Sequence, residues 1–533
     1  MSLRRLTATP GFRPLVAGHS FWIGQAAWTK RPQSARTSPR TYATEEANKE
    51  KDKDSTSSWP DSEKRPSSTI SDDSHQSMPA GWEDNPDLDI TTFSQLPHKF
   101  FGTNQHIRIN EDFKEAMRQI LWQFRAPIRY AFAYGSGVFS QANAPTNPEA
   151  LSPHPHPPEA VVKWQQNGGK IIDFIFGVSY THHWHDINLS QHPSHYSALR
   201  YLGSYPISKI QDSWGAGVYF NPYITVNGTM IKYGVVNLDT ICRDLTEWDT
   251  LYIAGRLQKP VKILRDDPRV RLANQINLMS AVRTALLMLP ERFTERELYE
   301  QITSLSYMGD PRMTFGSENS NKVRNIVSNQ LPNFRQLYVP LISTLPNVRF
   351  NDPSVPTEAG WEREDVMARS SSLRNPSELV GGPDGFRMEQ DMSPQRRGNM
   401  VRRLPRLFRQ KLYYQYRKKF ALPGSAFDKI IDEANDEDGK AFSRREAGDF
   451  ERRVGTDADI TRTVGTCVKN TIEWPSSSQS VKGIFTAGLS RGWRYWSEKR
   501  KRYGESGKKE KGENGGGTGK NKEKEEGKKG KEE

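Results

Sequence analysis

The chain has 533 residues, 35% of them hydrophobic, a formal charge of +13 and only two cysteines. Its mean hydropathy is −0.78, so long stretches are expected to lack a packed core, and no apolar run approaches the about 20 residues that a bilayer span needs. Cys242 and Cys467 fit neither a disulfide framework nor a zinc spacing, which points to a reducing compartment.

Taken in order, residues 1–44 hold seven Lys/Arg and no acid, with Phe12, Leu15, Phe21, Trp22 and Ile23 among them. That is the composition of a mitochondrial transit peptide. Residues 45–90 are Ser, Glu, Lys, Asp and Pro and read as a disordered linker. Residues 111–125 place Phe113, Met117, Ile120, Leu121 and Phe124 at helical spacing. A strand, 129–134, then runs into Gly135-Ser136-Gly137. Residues 142–169 read as a loop insertion, and 171–178 (IIDFIFGV) as a second apolar strand carrying Asp173. Residues 196–204 look helical, 221–226 and 230–236 form a hairpin across Asn227-Gly228, and 239–253 resume helical periodicity. Helices at 274–289 and 294–306 suggest a separate helical domain over 263–350. Residues 351–399 read as a disordered insertion. Residues 400–480 form a C-terminal helical region, basic and amphipathic at 401–421, and 504–533 are a Lys/Glu/Gly tail.

The charge has a location. Residues 481–533 hold 16 Lys/Arg against nine acids, so with the basic N-terminus they account for the excess, and the body between is near neutral. A duplex-binding enzyme would carry its basic stripe on the folded body, so no nucleic-acid partner is expected. In 481–502, Val481, Ile484, Phe485, Leu489, Trp493 and Trp496 follow a helical stripe, with Lys482, Arg491, Arg494 and Lys499 to Arg502 as cations. This suits an anionic membrane surface.

The chemistry concentrates in the two apolar strands. A glycine turn brings backbone N–H groups to phosphate oxygens, and Ser136 adds a hydroxyl donor. Asp173 on the neighbouring strand could hold a divalent metal against the same phosphates, since an ionised Asp among apolar residues needs an offsetting charge. The position two residues on, where nucleotidyl transferases carry a second carboxylate, is Ile175. Asp244 is the candidate for the missing metal ligand, or else a structural acid. Lys232 on an apolar strand wants an anion such as a triphosphate, or snorkels to solvent. Arg256 and Lys259 are further candidate phosphate cations. Five histidines crowd 182–195 without zinc-protease spacing. His185, Asn188 and His195 are expected to make polar contacts to substrate or neighbouring loops.

The motifs YGSGVF-x-Q (134–141), DFIFGV (173–178), HWH-x-x-N (183–188), HYS (195–197), KYGVV (232–236) and LY-x-AGRL-x-KPV (251–261) resemble the mitochondrial translocator assembly and maintenance family. Those proteins are mitochondrial phosphatidate cytidylyltransferases. The resemblance implies an α+β fold, with a nucleotidyltransferase-like mixed sheet over 91–262 and a winged-helix-like domain after it. It implies CTP and phosphatidate as substrates, magnesium as cofactor, peripheral attachment to the matrix face of the inner membrane, and a product feeding cardiolipin synthesis. Two rival readings stay open: an RNA or protein nucleotidyltransferase, and a non-catalytic import-assembly factor.

Overall fold

Asn110 starts the first helix, α1 (Glu111–Trp122), its side chain accepting from the Phe113 N–H at 3.0 Å, with Glu111 and Asp112 favouring the positive end of the helix dipole. Phe113, Met117 and Ile120 form its buried stripe. After it come β1 (Tyr130–Tyr134) and β2 (Ile172–Val178), then α2 (Thr181–Gln191). The segment expected to be helical over 196–204 is instead a 3-10 turn, Ala198–Leu202. Gly203, at φ +84°, ends it and passes the chain to α3 (Ser204–Ser213). Strands β3 (Val218–Val226) and β4 (Thr229–Asn237) pair as the expected hairpin, with Asn227 at φ +47° in its turn. Helix α4 (Leu238–Glu247) stops short of the expected 253 because Trp248 takes up a left-handed conformation. A short α5 (Ala254–Leu257) and β5 (Lys262–Arg265) follow.

The structure is a computed structural model. It describes residues 82–83, 86–139, 171–227, 229–311, 321–351, 384–435 and 446–487, all within one compact unit. The expected transit peptide, most of the linker, the 142–169 loop, most of 351–399, residues 488–503 and the tail lie outside the described residues.

The sheet order is β3-β4-β2-β1-β5, with β2 and β4 parallel and the other pairs antiparallel. Period-two alternation gives the sheet two apolar faces. Ala133, Phe174, Phe176, Tyr233 and Val235 face α1 and Trp184 of α2. Phe132, Ile175, Val218 and Phe220 face the larger core, each fully buried side chain contributing about 1.5–3 kcal/mol.

That larger core is built on α6 (Pro268–Met288), a 21-residue helix buried on almost every side. Asp267 caps it and Pro268 occupies its first position, where a missing N–H costs nothing. Then come β6 (Arg292–Thr294), α7 (Glu295–Leu305), α8 (Lys322–Ile342) and β7 (Val348–Phe350). Helix α8 is kinked at Gln330, two residues before Pro332. From residue 384 the stretch expected to lack structure is ordered. It supplies β8 (Arg387–Gln390), the middle strand of a small antiparallel sheet β6-β8-β7, and α9 (Pro394–Arg402). Four residues with Met388 buried between Phe293 and Phe350 partners are too short a run for periodicity to reveal.

The chain ends in α10 (Arg406–Lys419), α11 (Gly424–Asn435), α12 (Asp449–Gly455) and α13 (Ile460–Ala487). Here several basic residues point inward. Arg397 donates to the Leu287 carbonyl at 2.9 Å, Arg409 to that of Ala434 at 2.9 Å, and Arg402 pairs with Glu451 at 3.1 Å. One continuous apolar cluster runs from Tyr130 of β1 to Ile472 of α13, across the expected boundary near 262. Cys242 and Cys467 are free and buried. No helix among the described residues is long and apolar enough to cross a membrane.

Candidate active site

Strand register assembles the candidate residues. Tyr134 pairs with Asp173 across β1 and β2, and Asp173 with Lys232 across β2 and β4. The three side chains therefore stand in one row on the face of the larger core. Lys232 Nζ lies 3.6 Å from Asp173 Oδ1, their side chains 33% and 30% exposed, and 4.4 Å from the centre of the Phe220 ring. No hydrogen bond to the Asp173 carboxylate occurs among the described residues, so its lone pairs stay available.

The glycine turn closes the row at the end of β1. Gly135 sits at φ +82°, and a Cβ there would lie 3.5 Å from Asp173 Oδ2. At Gly137 a Cβ would come within 2.5 Å of the Ile171 carbonyl oxygen, so only glycine fits against β2. The carbonyl of Gly135 accepts from the N–H groups of Val138 and Phe139. The N–H groups of Ser136 and Gly137 have no acceptor among the described residues, and donors left in this way suit a bound anion.

Arg256 joins from α5. Its guanidinium lies 3.9 Å from the Tyr252 ring and 5.5 Å from the Tyr134 ring. Tyr134 thus stands between Arg256 and the Asp173–Lys232 pair. Burial raises its phenol above the ordinary range, with Asp173 adding to the rise and Arg256 and Lys232 opposing it. Lys259 is turned away, donating to the Gly255 carbonyl and to Ser306 Oγ. Burial, with Arg256 and Lys322 nearby, pushes its ammonium well below the usual lysine range.

Asp244 stands apart from the row. Its Oδ1 accepts from the N–H and the hydroxyl of Thr250, both at 2.8 Å. Its Oδ2 accepts from the N–H groups of Ile253 at 2.8 Å and Ala254 at 3.0 Å. A carboxylate offers about four acceptor sites, and all four are taken, so Asp244 has none left for a metal. It organises the turn that delivers Arg256. Ile175 lies one pleat deeper than Asp173, fully buried between Phe132 and Gly234, where a second carboxylate would be sealed in the core.

His185, Asn188 and His195 do come together, but on the opposite face of the sheet and sealed from solvent. Gln211 Oε1 accepts from His185 Nε2 at 2.8 Å. The Tyr196 hydroxyl donates to His185 Nδ1 at 2.9 Å and accepts from Asn188. Asn188 also donates to the Tyr233 hydroxyl, which is hydrogen-bonded to His195 Nδ1 at 2.9 Å. Such contacts hold α2 against β4 beside Lys232. Burial pushes the His185 imidazole down to about 4 from 6.5. The folded protein binds fewer protons there than the unfolded chain, so stability is full above about pH 6.5 and falls as pH drops towards 4, by up to about 3 kcal/mol. Urea unfolding across that window will show this slope, and His185→Asn will flatten it; an unchanged slope would refute the assignment.

Lys482, expected among the membrane-facing cations, is buried, donating to the carbonyls of Gln211 at 3.2 Å and Val218 at 3.1 Å. Burial pushes its ammonium down to about 8. Tyr134, Phe220 and Tyr252 are site residues that sequence reasoning passed over. Tyr134 sat inside the quoted glycine motif and Tyr252 inside LY-x-AGRL-x-KPV, whereas nothing in the sequence marked Phe220. Among the described residues no group of three His, Cys, Asp or Glu could hold a metal.

Comparison with known proteins converges on one family. Residues 117–502 match the family model described as phosphatidate cytidylyltransferase, mitochondrial. Proteins of that name are similar to this chain. The one from Schizosaccharomyces pombe is 44% identical over 47% of this chain and 59% of its own length, and that from Saccharomyces cerevisiae 43% over 47% and 60%. The chain thus spans about three fifths of these fungal relatives. The Xenopus laevis protein is 36% identical over 72% of this chain and 92% of its own length. The matched span takes in the glycine turn, Asp173, Lys232, Arg256 and α13, and the chain belongs to the mitochondrial phosphatidate cytidylyltransferase family.

Proposed function

We propose that this protein transfers the cytidylyl group of CTP to phosphatidate, giving CDP-diacylglycerol and pyrophosphate. The observation that carries the reading is the in-register row Tyr134–Asp173–Lys232, closed by Gly135-Ser136-Gly137. A triphosphate needs donors and cations in a fixed array, and little covalent work is asked of the protein. The Ser136 and Gly137 N–H groups and the Ser136 hydroxyl hold phosphate oxygens. Lys232 and Arg256 neutralise the charge that grows on the leaving pyrophosphate. The phosphatidate phosphate is already an anion at neutral pH, so an oxygen of it attacks the α-phosphorus without a general base, and the bond to pyrophosphate breaks. Lys259 and Asp244 support this array from behind, one through Ser306 and the other through the 250–254 turn.

Magnesium fits this donor set in one way. Asp173, a single carboxylate with open lone pairs, would hold it, with nucleotide phosphates and water as the remaining ligands, as magnesium sites commonly allow. When bound it would supply charge neutralisation at those phosphates.

In the same reading, the sheet β3-β4-β2-β1-β5 is a nucleotidyltransferase-type core, and α6–α8 with β6-β8-β7 form the winged-helix-like part. Residues 1–44 direct the chain to mitochondria. Residues 481–502 hold it on the matrix face of the inner membrane, its product feeding cardiolipin synthesis. The test is direct. Purified full chain with labelled CTP, magnesium and phosphatidate in mixed micelles will form labelled CDP-diacylglycerol and release pyrophosphate. Label passing to RNA or protein instead, or no transfer at all, would overturn the reading.

A further inference from the structure

Two apolar segments far apart in sequence meet on the surface. On α13, Trp474, Val481 and Phe485 fall on one stripe, at spacings of seven and four, and all are exposed, Phe485 by 59%. The Ser197 hydroxyl donates to the Phe485 carbonyl at 2.9 Å, and the Trp214 ring lies 6.5 Å from that of Phe485. Ser197 opens the 3-10 turn in which Tyr201 is 77% exposed and Leu202 is exposed beside it. Past Gly203, Tyr205 on the first turn of α3 is exposed as well.

Two cations stand over the tyrosine rings of this face. Arg200 lies 4.8 Å from the Tyr201 ring and donates to its hydroxyl at 2.7 Å, and Lys209 lies 5.5 Å from the Tyr205 ring. Asp186, which accepts from Ser204 at 3.1 Å, and the exposed Glu473 beside Trp474 are neighbouring acids. Beyond residue 487 the sequence continues with Trp493, Trp496, Arg491 and Arg494. Contiguous exposed apolar surface marks an interaction site. Tyrosines capped by Arg and Lys suit the boundary between lipid headgroups and acyl chains. The cations held over these tyrosines, and those that follow residue 487, make an anionic bilayer the complement of this face.

We propose that residues 198–205 and the exposed stripe of α13 form one face that docks on an anionic bilayer. The membrane contact then has two parts rather than a single C-terminal helix. This inference rests on the attachment proposed above for residues 481–502, and the two fail separately. Full chain will be sedimented with phosphatidylcholine vesicles with and without phosphatidylglycerol, beside Y201S/L202S/Y205S and W493S/W496S variants. The triple variant will bind phosphatidylglycerol vesicles about tenfold or more weakly, with unchanged circular dichroism. Binding equal to wild type would overturn the two-part face while W493S/W496S still tests the C-terminal segment. Failure of the wild type itself to sediment would overturn both. A wild-type dimer that the triple variant converts to monomer, measured by light scattering, would assign the face to a second copy and overturn the bilayer.

Discussion

Asp173→Asn in the full chain will lower CDP-diacylglycerol formation by at least about a hundredfold, the range seen when one preorganised electrostatic contact is removed from a reacting phosphate or oxyanion. The fold will not suffer. The side chain is 30% exposed and accepts no hydrogen bond among the described residues, so its loss should shift stability by within about 0.5 kcal/mol. The variant also discriminates between roles. Asp173 is the negative partner of Lys232 at 3.6 Å, so neutralising it leaves the row more positive. CTP binding without magnesium will then hold or tighten while turnover collapses. Initial rates, CTP binding by calorimetry and urea unfolding on the same preparation make the comparison. Retention of more than about a tenth of wild-type turnover would remove Asp173 from the chemistry.

Asp244→Ala will act through stability instead. Its carboxylate accepts three backbone N–H groups and one hydroxyl in a buried turn. That turn holds two non-glycine residues in the left-handed region, Trp248 at φ +54° and Leu251 at φ +55°, a conformation costing about 1–3 kcal/mol each. Removing the acceptor orphans the donors and releases the restraint. The expected loss is about 3–5 kcal/mol, read as a fall in the urea midpoint with an unchanged m-value. Activity will fall with it, because the same turn places Arg256. Magnesium dependence among the surviving folded molecules will match wild type. A variant of unchanged stability that needs far more magnesium would instead make Asp244 a metal ligand.

The contrast between these two acids shows where sequence reasoning reaches and where it stops. Apolar periodicity located β1, β2, the hairpin and the apolar face of α1, because each buries a regular stripe. The glycine turn and Asp173 were legible because a charge inside an apolar strand is costly without a purpose. Strand adjacency was not. Asp173 and Lys232 are 59 positions apart, and only the parallel pairing of β2 with β4 sets them side by side. Asp244 offered no signal to separate a ligand from a turn anchor, since its four partners are mostly backbone. Helix α2 buries Trp184, His185 and Asn188, two of them polar and hydrogen-bonded, so its composition hid its helical face. Lys482 misled for the opposite reason: a cation in a basic segment reads as exposed until carbonyls are found to receive it.

Those carbonyls have a further consequence. Strand β3 is an edge of the sheet, and an open edge is a template for pairing with other chains. Here α13 packs beside it, and Gln479 and Lys482 both donate to the Val218 carbonyl. The guard for this edge arrives more than 250 residues after the strand itself. A chain emerging from a ribosome or threaded through a pore N-terminus first therefore holds β3 uncovered until α13 is delivered. Its window for misassembly is set by the time taken to deliver the rest of the chain, and closes only when α13 docks.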